Sequence, residues 1–297
     1  MSTIFSADTT LSQIYSTPEF SGFAHRLLPI DLHMSSSSTL KQLSQNLPWY
    51  STYTRTERTV SIFNELRTRA SQGQEIFFDI YTAQEQKQDP SKRNTGLVFF
   101  KGKKNHKTAI VSAGGAFQYV GAIQDSFPHC QYLAEQGFNA FALIYRPGAR
   151  TGSRDLARAI VFLHEHANEL EIDMTGYSLW GGSAGARLSA WLGSLGTQAF
   201  DEPRTAQPST VVMEYTGLSE VYGTEPPTIS IVGTSDWIAD YRVMQERTRK
   251  LSTYSIPADC LVYNGLGHGF GLGEDTAAQG WIDLAINFWM DNLDTAI

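Results

Sequence analysis

Short apolar runs, separated by polar and turn-forming residues, mark the chain from Glu75 onward. Runs of this length are typical of strands, and runs without polar interruption are typical of strands that are buried on both faces. The runs that predict strands span residues 76–81, 96–100, 108–112, 140–145, 175–179, 210–215, 228–232 and 259–263.

Between these runs the apolar residues recur with a period of about 3.6, which is typical of amphipathic helices. In residues 154–170, for example, Leu156, Ile160 and Leu163 fall on one face. The predicted helices span residues 127–136, 154–170, 187–192, 241–254 and 281–293. From residue 108 on, strands and helices alternate, which predicts an α/β fold with a mostly parallel, doubly wound sheet and helices on both faces. The functional site of such a sheet forms at the carboxyl ends of its strands.

The first 72 residues are polar and favour helix. Apolar residues recur at helical spacing from Leu11 and again from Leu40, where the serines of 35–38 are suited to cap the second helix. We therefore divide the chain into a helical N-terminal extension or cap, residues 1–72, and an α/β domain, residues 73–297. The pattern does not choose between a cap over the site and a contact with another subunit, so a homo-oligomer stays open.

The charge of the chain argues against a nucleic-acid partner. Thirty acidic residues face 23 basic ones, for a formal net charge of −7, which is the wrong sign for a protein that neutralises phosphates. The basic run 101–107 lies between two predicted strands, so we expect a solvated hairpin there.

Cysteine usage and hydropathy point to a soluble protein. Cys130 and Cys260 are the two cysteines, which is too few for a disulfide framework, and we expect free thiols. The first eight residues lack the basic start and apolar stretch of a signal peptide. No window approaches 18 uninterrupted apolar residues, so we expect no membrane span and a cytoplasmic location.

The strongest chemical signal is the pattern Gly181-x-Ser183-x-Gly185, which lies between a predicted strand and a predicted helix. This is the G-x-S-x-G nucleophile elbow in its strand–turn–helix context. Ser183 would occupy a sharp, strained turn, and a side chain two positions to either side would collide with the neighbouring strand or helix. The pattern predicts Ser183 as a nucleophile.

A serine hydroxyl needs a base, and the base needs an acid that orients it. In proteins with a G-x-S-x-G nucleophile elbow, the catalytic residues follow the chain order serine, acid, histidine. His268 is the one histidine after Ser183, and it follows the last predicted strand in a glycine-rich loop. Asp236 is the carboxylate nearest the end of the preceding strand, with Asp240 as the alternative.

The reaction also needs amides that stabilise an oxyanion. We expect one from Ala184, which follows the nucleophile, and another from Gly115 or Ala116 in the loop after strand 108–112. Three aromatic residues beside these segments are candidates to line a substrate pocket: Phe117, Tyr119 and Trp237.

Other features have structural interpretations. Trp180 is expected in the core, and Arg146 and Asp155 are expected to pair and brace the loops near the elbow. His164 and His166 are two residues apart on a helix, so they do not share a face and make a poor metal-binding pair. No cluster of residues has metal-ligand spacing, and the predicted chemistry requires neither a metal nor another cofactor.

Taken together, these motifs resemble those of α/β-hydrolases of the bacterial esterase/lipase group, which includes the hormone-sensitive-lipase-like and acetylesterase-like enzymes. The resemblance covers residues 75–297. It rests on Ser183 in Gly-Gly-Ser-Ala-Gly, Asp236 in Asp-Trp-Ile-Ala-Asp, His268 in His-Gly-Phe, and Tyr145-Arg146 with the helix from Asp155. The His-Gly-Gly-Gly oxyanion motif of that group is replaced here by residues 112–117, Ser-Ala-Gly-Gly-Ala-Phe. This form is closer to the Pro-Gly-Gly-Gly-Tyr type of the acetylxylan and sugar-esterase relatives.

The sequence therefore predicts a serine carboxylesterase that acts on a small-molecule ester through Ser183, His268 and Asp236. The resemblance implies short-acyl substrates, with acetylated sugars and small aryl esters as candidates. The alternatives are a serine peptidase of the same fold and a catalytically silent binding module.

Overall fold

The computed structural model describes residues 4–29 and 31–293 of the chain. The outer ends of the two predicted domains, residues 1–3 and 294–297, lie outside the described residues, as does residue 30. Among the described residues, eight strands form one sheet. They are β1 (Phe77–Phe78), β2 (Gly96–Phe100), β3 (Lys107–Ser112), β4 (Asn139–Ile144), β5 (Asp173–Gly182), β6 (Thr210–Glu214), β7 (Thr228–Gly233) and β8 (Ala258–Tyr263).

The strand order is β1-β2-β4-β3-β5-β6-β7-β8. The β1–β2 and β2–β4 pairs are antiparallel, and the other neighbouring pairs are parallel. The described residues of β2, β4 and β6 are all buried. The predicted mostly parallel sheet is confirmed, and the uninterrupted apolar runs are explained by burial of the inner strands on both faces.

The basic run between β2 and β3 does not form the predicted hairpin, because β4 lies between these two strands. Its lysines instead hold the turn that leads into β5. Lys101 and Lys104 pair with Glu171 at 3.2 and 2.6 Å, and Lys107 pairs with Asp173 at 2.8 Å. The run is thus a surface loop, three of whose lysines pair with acidic residues near the start of β5.

Helices cover the faces of the sheet. They are α1 (Leu11–Tyr15), α2 (Leu40–Gln45), α3 (Thr56–Ser71), α4 (Ala83–Gln88), α5 (Ala122–Asp125), α6 (Phe127–Glu135), α7 (Ala149–Glu165), α8 (Ala167–Leu170), α9 (Ala184–Leu195), α10 (Tyr241–Thr253) and α11 (Trp281–Asp291). Short 3₁₀ turns cover Pro18–Phe20, Ala24–Leu27, Pro90–Asn94 and Thr197–Phe200. Helix α9 packs on β5 and β6 beside α7, whereas α6 and α11 are joined by a hydrogen bond from Tyr132 to Asp283 (2.7 Å).

The first strand is shorter than the sequence predicted. Only Phe77–Phe78 pair with β2, whereas the apolar run extends to Tyr81. Thr82 ends the run because it caps α4 in a capping box with Glu85, and Arg26 binds Asp79 from outside the sheet. Local capping thus outweighs the strand preference of the run.

The helix predicted over 154–170 begins earlier, at Ala149, and divides at His166 into α7 and α8. Gly148 precedes it with φ 99°, a conformation that favours glycine, so the helix starts directly after this turn. In α2 the cap is Thr39 rather than the serine run 35–38, because Thr39 forms a capping box with Gln42.

The N-terminal segment packs directly against the α/β region. Ile14, Leu40 and Phe63 are fully buried and belong to the same continuous core as the sheet. Polar contacts add to this packing, because Arg58 pairs with Glu274. The described part of the segment therefore shares a core with the α/β region and has no separate one.

Three further predictions are confirmed, for Trp180, for the Arg146–Asp155 pair and for the two cysteines. Trp180 is fully buried. Arg146 donates from Nη2 to Oδ1 of the buried Asp155 at 2.7 Å. Both cysteines are free thiols, Cys130 buried and Cys260 partly buried. Within residues 4–29 and 31–293, no helix has both the length and the apolar character needed to cross a membrane.

Candidate active site

Ser183 lies between the end of β5 and the start of α9 with φ 50° and ψ −114°. A non-glycine residue in this region is strained, as expected for a nucleophile elbow. The flanking glycines are required by packing. A Cβ atom at Gly181 would lie 2.4 Å from the carbonyl carbon of Gly185, and one at Gly185 would lie 1.9 Å from the carbonyl oxygen of Ser112. Strand, turn and helix therefore meet at van der Waals distance around the serine.

His268 contacts both of its predicted partners. Its Nε2 lies 3.1 Å from the hydroxyl oxygen of Ser183, and its Nδ1 lies 2.7 Å from Oδ2 of Asp236. The His268 side chain is 3% exposed and that of Asp236 is 1% exposed. Since Nδ1 must carry the proton to donate to a carboxylate, Nε2 is the atom free to accept from the serine.

Asp236 is held by its own loop after β7. Its Oδ1 accepts from the amides of Ile238 and Ala239 at 2.8 and 2.9 Å, which leaves Oδ2 for the imidazole. The alternative acid Asp240 instead caps α10 by accepting from the amide of Arg242. The structure thus brings Asp236, and not Asp240, to the histidine.

The loop after β3 faces the serine. Gly115 has φ 133°, and Ala116 has φ 55°. Both line the cavity above Ser183, and in the described chain neither of their amides donates a hydrogen bond to another residue. Ala184 opens α9, where a backbone amide has no partner within the helix. The amides of Gly115 and Ala116 therefore have no partner within the described chain beside the cavity, and the Ala184 amide directly follows the serine.

A cavity of about 280 Å³ opens at Ser183 and His268. Its remaining lining residues are Trp49, Tyr50, Gly115, Ala116, Trp237 and Ile238. The ionisable groups of this lining are the His268 imidazole and the Tyr50 phenol. Most of the exposed surface of the cavity is apolar. A larger cavity of about 740 Å³ near the C-terminal end of α9 has no histidine or carboxylate in its lining.

Of the three predicted aromatic residues, only Trp237 lines the cavity, with 80% of its surface exposed. Tyr119 is buried and donates to the carbonyl of Pro48 at 2.6 Å, so it lies behind the wall. Phe117 turns away and stacks on Trp191. The two predictions fail because the left-handed turn at Ala116 and Phe117 redirects the loop.

Sequence reasoning missed Trp49 and Tyr50, which reach the cavity from the N-terminal segment. The ring of Trp49 stacks on Tyr119, with ring centroids 5.9 Å apart. The available signal was an adjacent Trp-Tyr pair after Pro48 in an otherwise polar stretch. Nothing in the local periodicity indicates that this pair contacts a loop more than 60 residues away.

A buried polar cluster lies beneath the site. The Nε2 atom of His129 contacts Oε2 of Glu214 at 3.1 Å, and both side chains are fully buried. Burial raises the pKa of Glu214 to about 7. Burial acts to lower the pKa of His129, but the Glu214 carboxylate outweighs this and raises it. Asp125, whose pKa is also raised by burial, completes the cluster.

No group of histidine, cysteine or acidic side chains within the described residues is arranged to hold a metal ion.

Known proteins share sequence or structural similarity with this chain. Residues 99–226 match the family model BD-FAE, of an α/β-hydrolase family related to hormone-sensitive lipase and esterases. A search of curated proteins gives no significant match.

Solved structures of an esterase from Thermogutta terrifontis are similar. Esterase 2 phosphonylated by cyclosarin is 23% identical over 66% of this chain and 89% of its own, with a TM-score of 0.59. The propionate-bound form has the same values. The form phosphonylated by sarin is 20% identical over 74% of this chain and 96% of its own, with a TM-score of 0.62. Together with the sheet order and the elbow, these similarities show that the chain has the α/β-hydrolase fold.

Proposed function

We propose that the protein is a serine carboxylesterase, with Ser183 as nucleophile, His268 as general base and Asp236 as the acid that orients it. The observation that carries the proposal is the continuous contact from Asp236 through His268 to a strained Ser183 at the floor of an apolar cavity. A nucleophile within reach of a base, a third group that orients the base and an open cavity beside them are features of nucleophilic catalysis.

In the proposed reaction, the Ser183 oxygen attacks the ester carbonyl carbon as its proton passes to Nε2 of His268. The carbonyl oxygen becomes an oxyanion, which the amides of Ala184, Gly115 and Ala116 stabilise by donating to it. Asp236 stabilises the imidazolium through Nδ1. His268 then gives its proton to the leaving alcohol, which leaves an acyl group on Ser183. A water molecule, deprotonated by His268, hydrolyses this acyl-enzyme and restores the serine.

The cavity supports small, uncharged, short-acyl esters. A space of about 280 Å³ is at the small end for ligand sites, and it offers no cation to bind an anionic substrate. Structures of the Thermogutta terrifontis esterase with propionate or butyrate bound support short acyl groups in this fold. Trp49 and Trp237 present aromatic surface that suits an aryl group or the apolar face of an acetylated sugar.

We further propose that residues 73–297 form the catalytic domain and that residues 1–72 act as an extension that walls the cavity. Trp49 and Tyr50 support this assignment, because both belong to the N-terminal segment and line the cavity at Ser183. A cytoplasmic location and a homo-oligomer stay predictions from the sequence.

Hydrolysis of p-nitrophenyl acetate, butyrate and octanoate by the wild type and by Ser183→Ala tests the proposal. Activity should fall from acetate to octanoate, and the substitution should lower turnover by about 10⁶-fold, the order found for serine nucleophiles. A fluorophosphonate probe should add one adduct to the wild type and none to Ser183→Ala. Equal activity in both proteins would contradict the assignment of Ser183. A wild type that neither turns over esters nor labels would favour a silent binding module.

A further inference from the structure

Asp125 lies at the end of α5 with its side chain fully buried under the nucleophile elbow. A Cβ atom at Gly182, the residue before the nucleophile, would lie 2.3 Å from Oδ1 of Asp125. The carboxylate therefore contacts the backbone that holds Ser183. The proposed mechanism gives it no chemical step, yet a carboxylate in a dry interior is costly unless it is fully hydrogen-bonded.

Three donors satisfy this carboxylate. Oδ2 accepts from the amide of Gly114 at 2.5 Å and from the hydroxyl of Tyr50 at 2.9 Å, and Oδ1 accepts from the hydroxyl of Tyr215. Tyr50 and Tyr215 are themselves 1% or less exposed. Both hydroxyls therefore bond the carboxylate within a buried environment.

Each donor belongs to a different part of the site. Gly114 immediately precedes the predicted oxyanion residues Gly115 and Ala116. Tyr50 lines the cavity from the N-terminal segment. The ring of Tyr215 meets that of His268 edge-on, with centroids 5.1 Å apart. One carboxylate thus connects the oxyanion loop, a cavity wall and the support beneath the base.

The loop depends on this connection. Gly114 has no room for a side chain, since a Cβ atom there would lie 2.1 Å from the Tyr50 hydroxyl and 2.8 Å from Cβ of Ser183. The amide of Gly121 returns to the Gly114 carbonyl at 2.8 Å, so both polar backbone groups of Gly114 are fixed. The direction of the next two amides is therefore set where Gly114 meets Asp125.

We propose that Asp125 is a positioning residue that aims the oxyanion amides through Gly114, and that Tyr50 makes the N-terminal segment part of this device. This inference rests on the proposed esterase function. It gives residues before the α/β region a role in transition-state stabilisation, in addition to their role in shaping the cavity. Asp125 touches no substrate and acts through the loop alone.

Tyr50→Phe is the central test, because it keeps the ring in the cavity wall and removes only the hydroxyl. Tyr177→Phe is the matched control, because Tyr177 is also a buried tyrosine with a hydrogen-bonded hydroxyl. That hydroxyl donates to the carbonyl of Ala206, away from the cavity at Ser183. Asp125→Asn is the second variant. The readouts are kcat and KM for p-nitrophenyl acetate, Tm, and Ki for an alkyl trifluoromethyl ketone, which forms an oxyanion when Ser183 adds to its carbonyl.

Loss of one whole oxyanion donor costs about 10²–10³ in kcat, so a misaimed loop should cost roughly tenfold to a hundredfold. We expect kcat of Tyr50→Phe to fall by that factor with little change in KM, and Ki of the ketone to rise by the same factor. Tyr177→Phe should lower Tm alone. Asp125→Asn, if it folds, should lose more than Tyr50→Phe. Should it not fold, Tyr50→Phe decides the question alone.

An active wild type whose Tyr50→Phe variant matches Tyr177→Phe in kcat and in Ki overturns the inference and leaves the esterase proposal intact. A fall in kcat without a rise in Ki also overturns it, because the oxyanion amides would then be unaffected. A wild type that is inert toward both ester and ketone overturns the proposed function, and this inference with it.

Discussion

Gly185 in α9 and Ser112 in β3 approach so closely that a Cβ atom at position 185 would lie 1.9 Å from the Ser112 carbonyl oxygen. The atom it meets is backbone at the centre of the sheet, which cannot move aside as a side chain can. The second glycine of the elbow motif therefore sets the distance between helix and strand, and with it the position of Ser183.

Gly185→Ala should therefore damage both stability and activity. Forced overpacking of this kind costs about 1–3 kcal/mol or more, and a displaced nucleophile can cost 10²-fold in rate. We expect a lower Tm and a fall in kcat of about 100-fold, measured by thermal unfolding and ester hydrolysis. Gly217→Ala is the control, since its Cβ atom would meet only ordinary contacts at 3.9 Å. Equal behaviour of the two variants would refute the packing argument.

Asp236→Asn should lower activity while leaving the fold intact. The amide is nearly the same size, so the loop should keep its shape, but it no longer fixes the histidine tautomer that accepts from Ser183. The equivalent change in a serine protease costs about 10⁴ in kcat, and we expect a loss of that order. Asp240→Asn should stay near wild type, because asparagine caps a helix as well as aspartate does. A larger loss in Asp240→Asn than in Asp236→Asn would reverse the assignment.

Trp237→Ala should alter substrate binding without altering stability. The side chain is largely exposed and lines the cavity, so its removal leaves the core intact. We expect KM for p-nitrophenyl esters to rise several-fold at nearly constant kcat, with Tm unchanged. Trp237→Phe should recover most of the affinity, because an aromatic face remains. A fall in kcat at constant KM would instead mean that Trp237 makes a contact that forms only in the transition state.

The buried His129–Glu214 pair should make stability decrease as pH rises. Burial raises the pKa of Glu214 in the folded protein to about 7, above its ordinary value of 4.5, so the folded state holds a proton that the unfolded chain releases. The raised pKa of His129 acts in the same direction. Stability from both groups is present at low pH and is lost as pH rises through their folded pKa values.

Glu214→Gln should flatten this dependence. Between about pH 5 and 8, the variant should lose less Tm than the wild type, as measured by thermal unfolding in a series of buffers. The exposed Glu220→Gln serves as the control and should keep the wild-type profile. A variant profile parallel to that of the wild type would show that the pair does not hold the extra proton.

Much of the fold follows from local pattern. Buried parallel strands need continuous apolar runs, and helices between them need one apolar face, so β3 to β8 and their helices could be located within a few residues. The elbow and the loops after β7 and β8 could be located too, because chain order alone puts Asp236 and His268 after successive strands.

The rest depends on contacts that are distant in sequence. Strand order is one example, because the insertion of β4 between β2 and β3 removes the hairpin that their adjacency suggested. Another is the cavity wall, which needs Trp49 beside a loop that begins at residue 113. The orientations of Phe117 and Tyr119 depend on a left-handed turn at Ala116. Alanine seldom adopts this backbone conformation, so the sequence does not predict the turn.

The groups that surround Ser183 come from the whole length of the chain: Tyr50 before the sheet, Gly115 after β3, Asp236 after β7 and His268 after β8. None of these segments can present its group until the strands between them have paired. The proposed ester turnover should therefore require completed folding. During refolding it should return with the slowest structural phase, after secondary structure has already recovered.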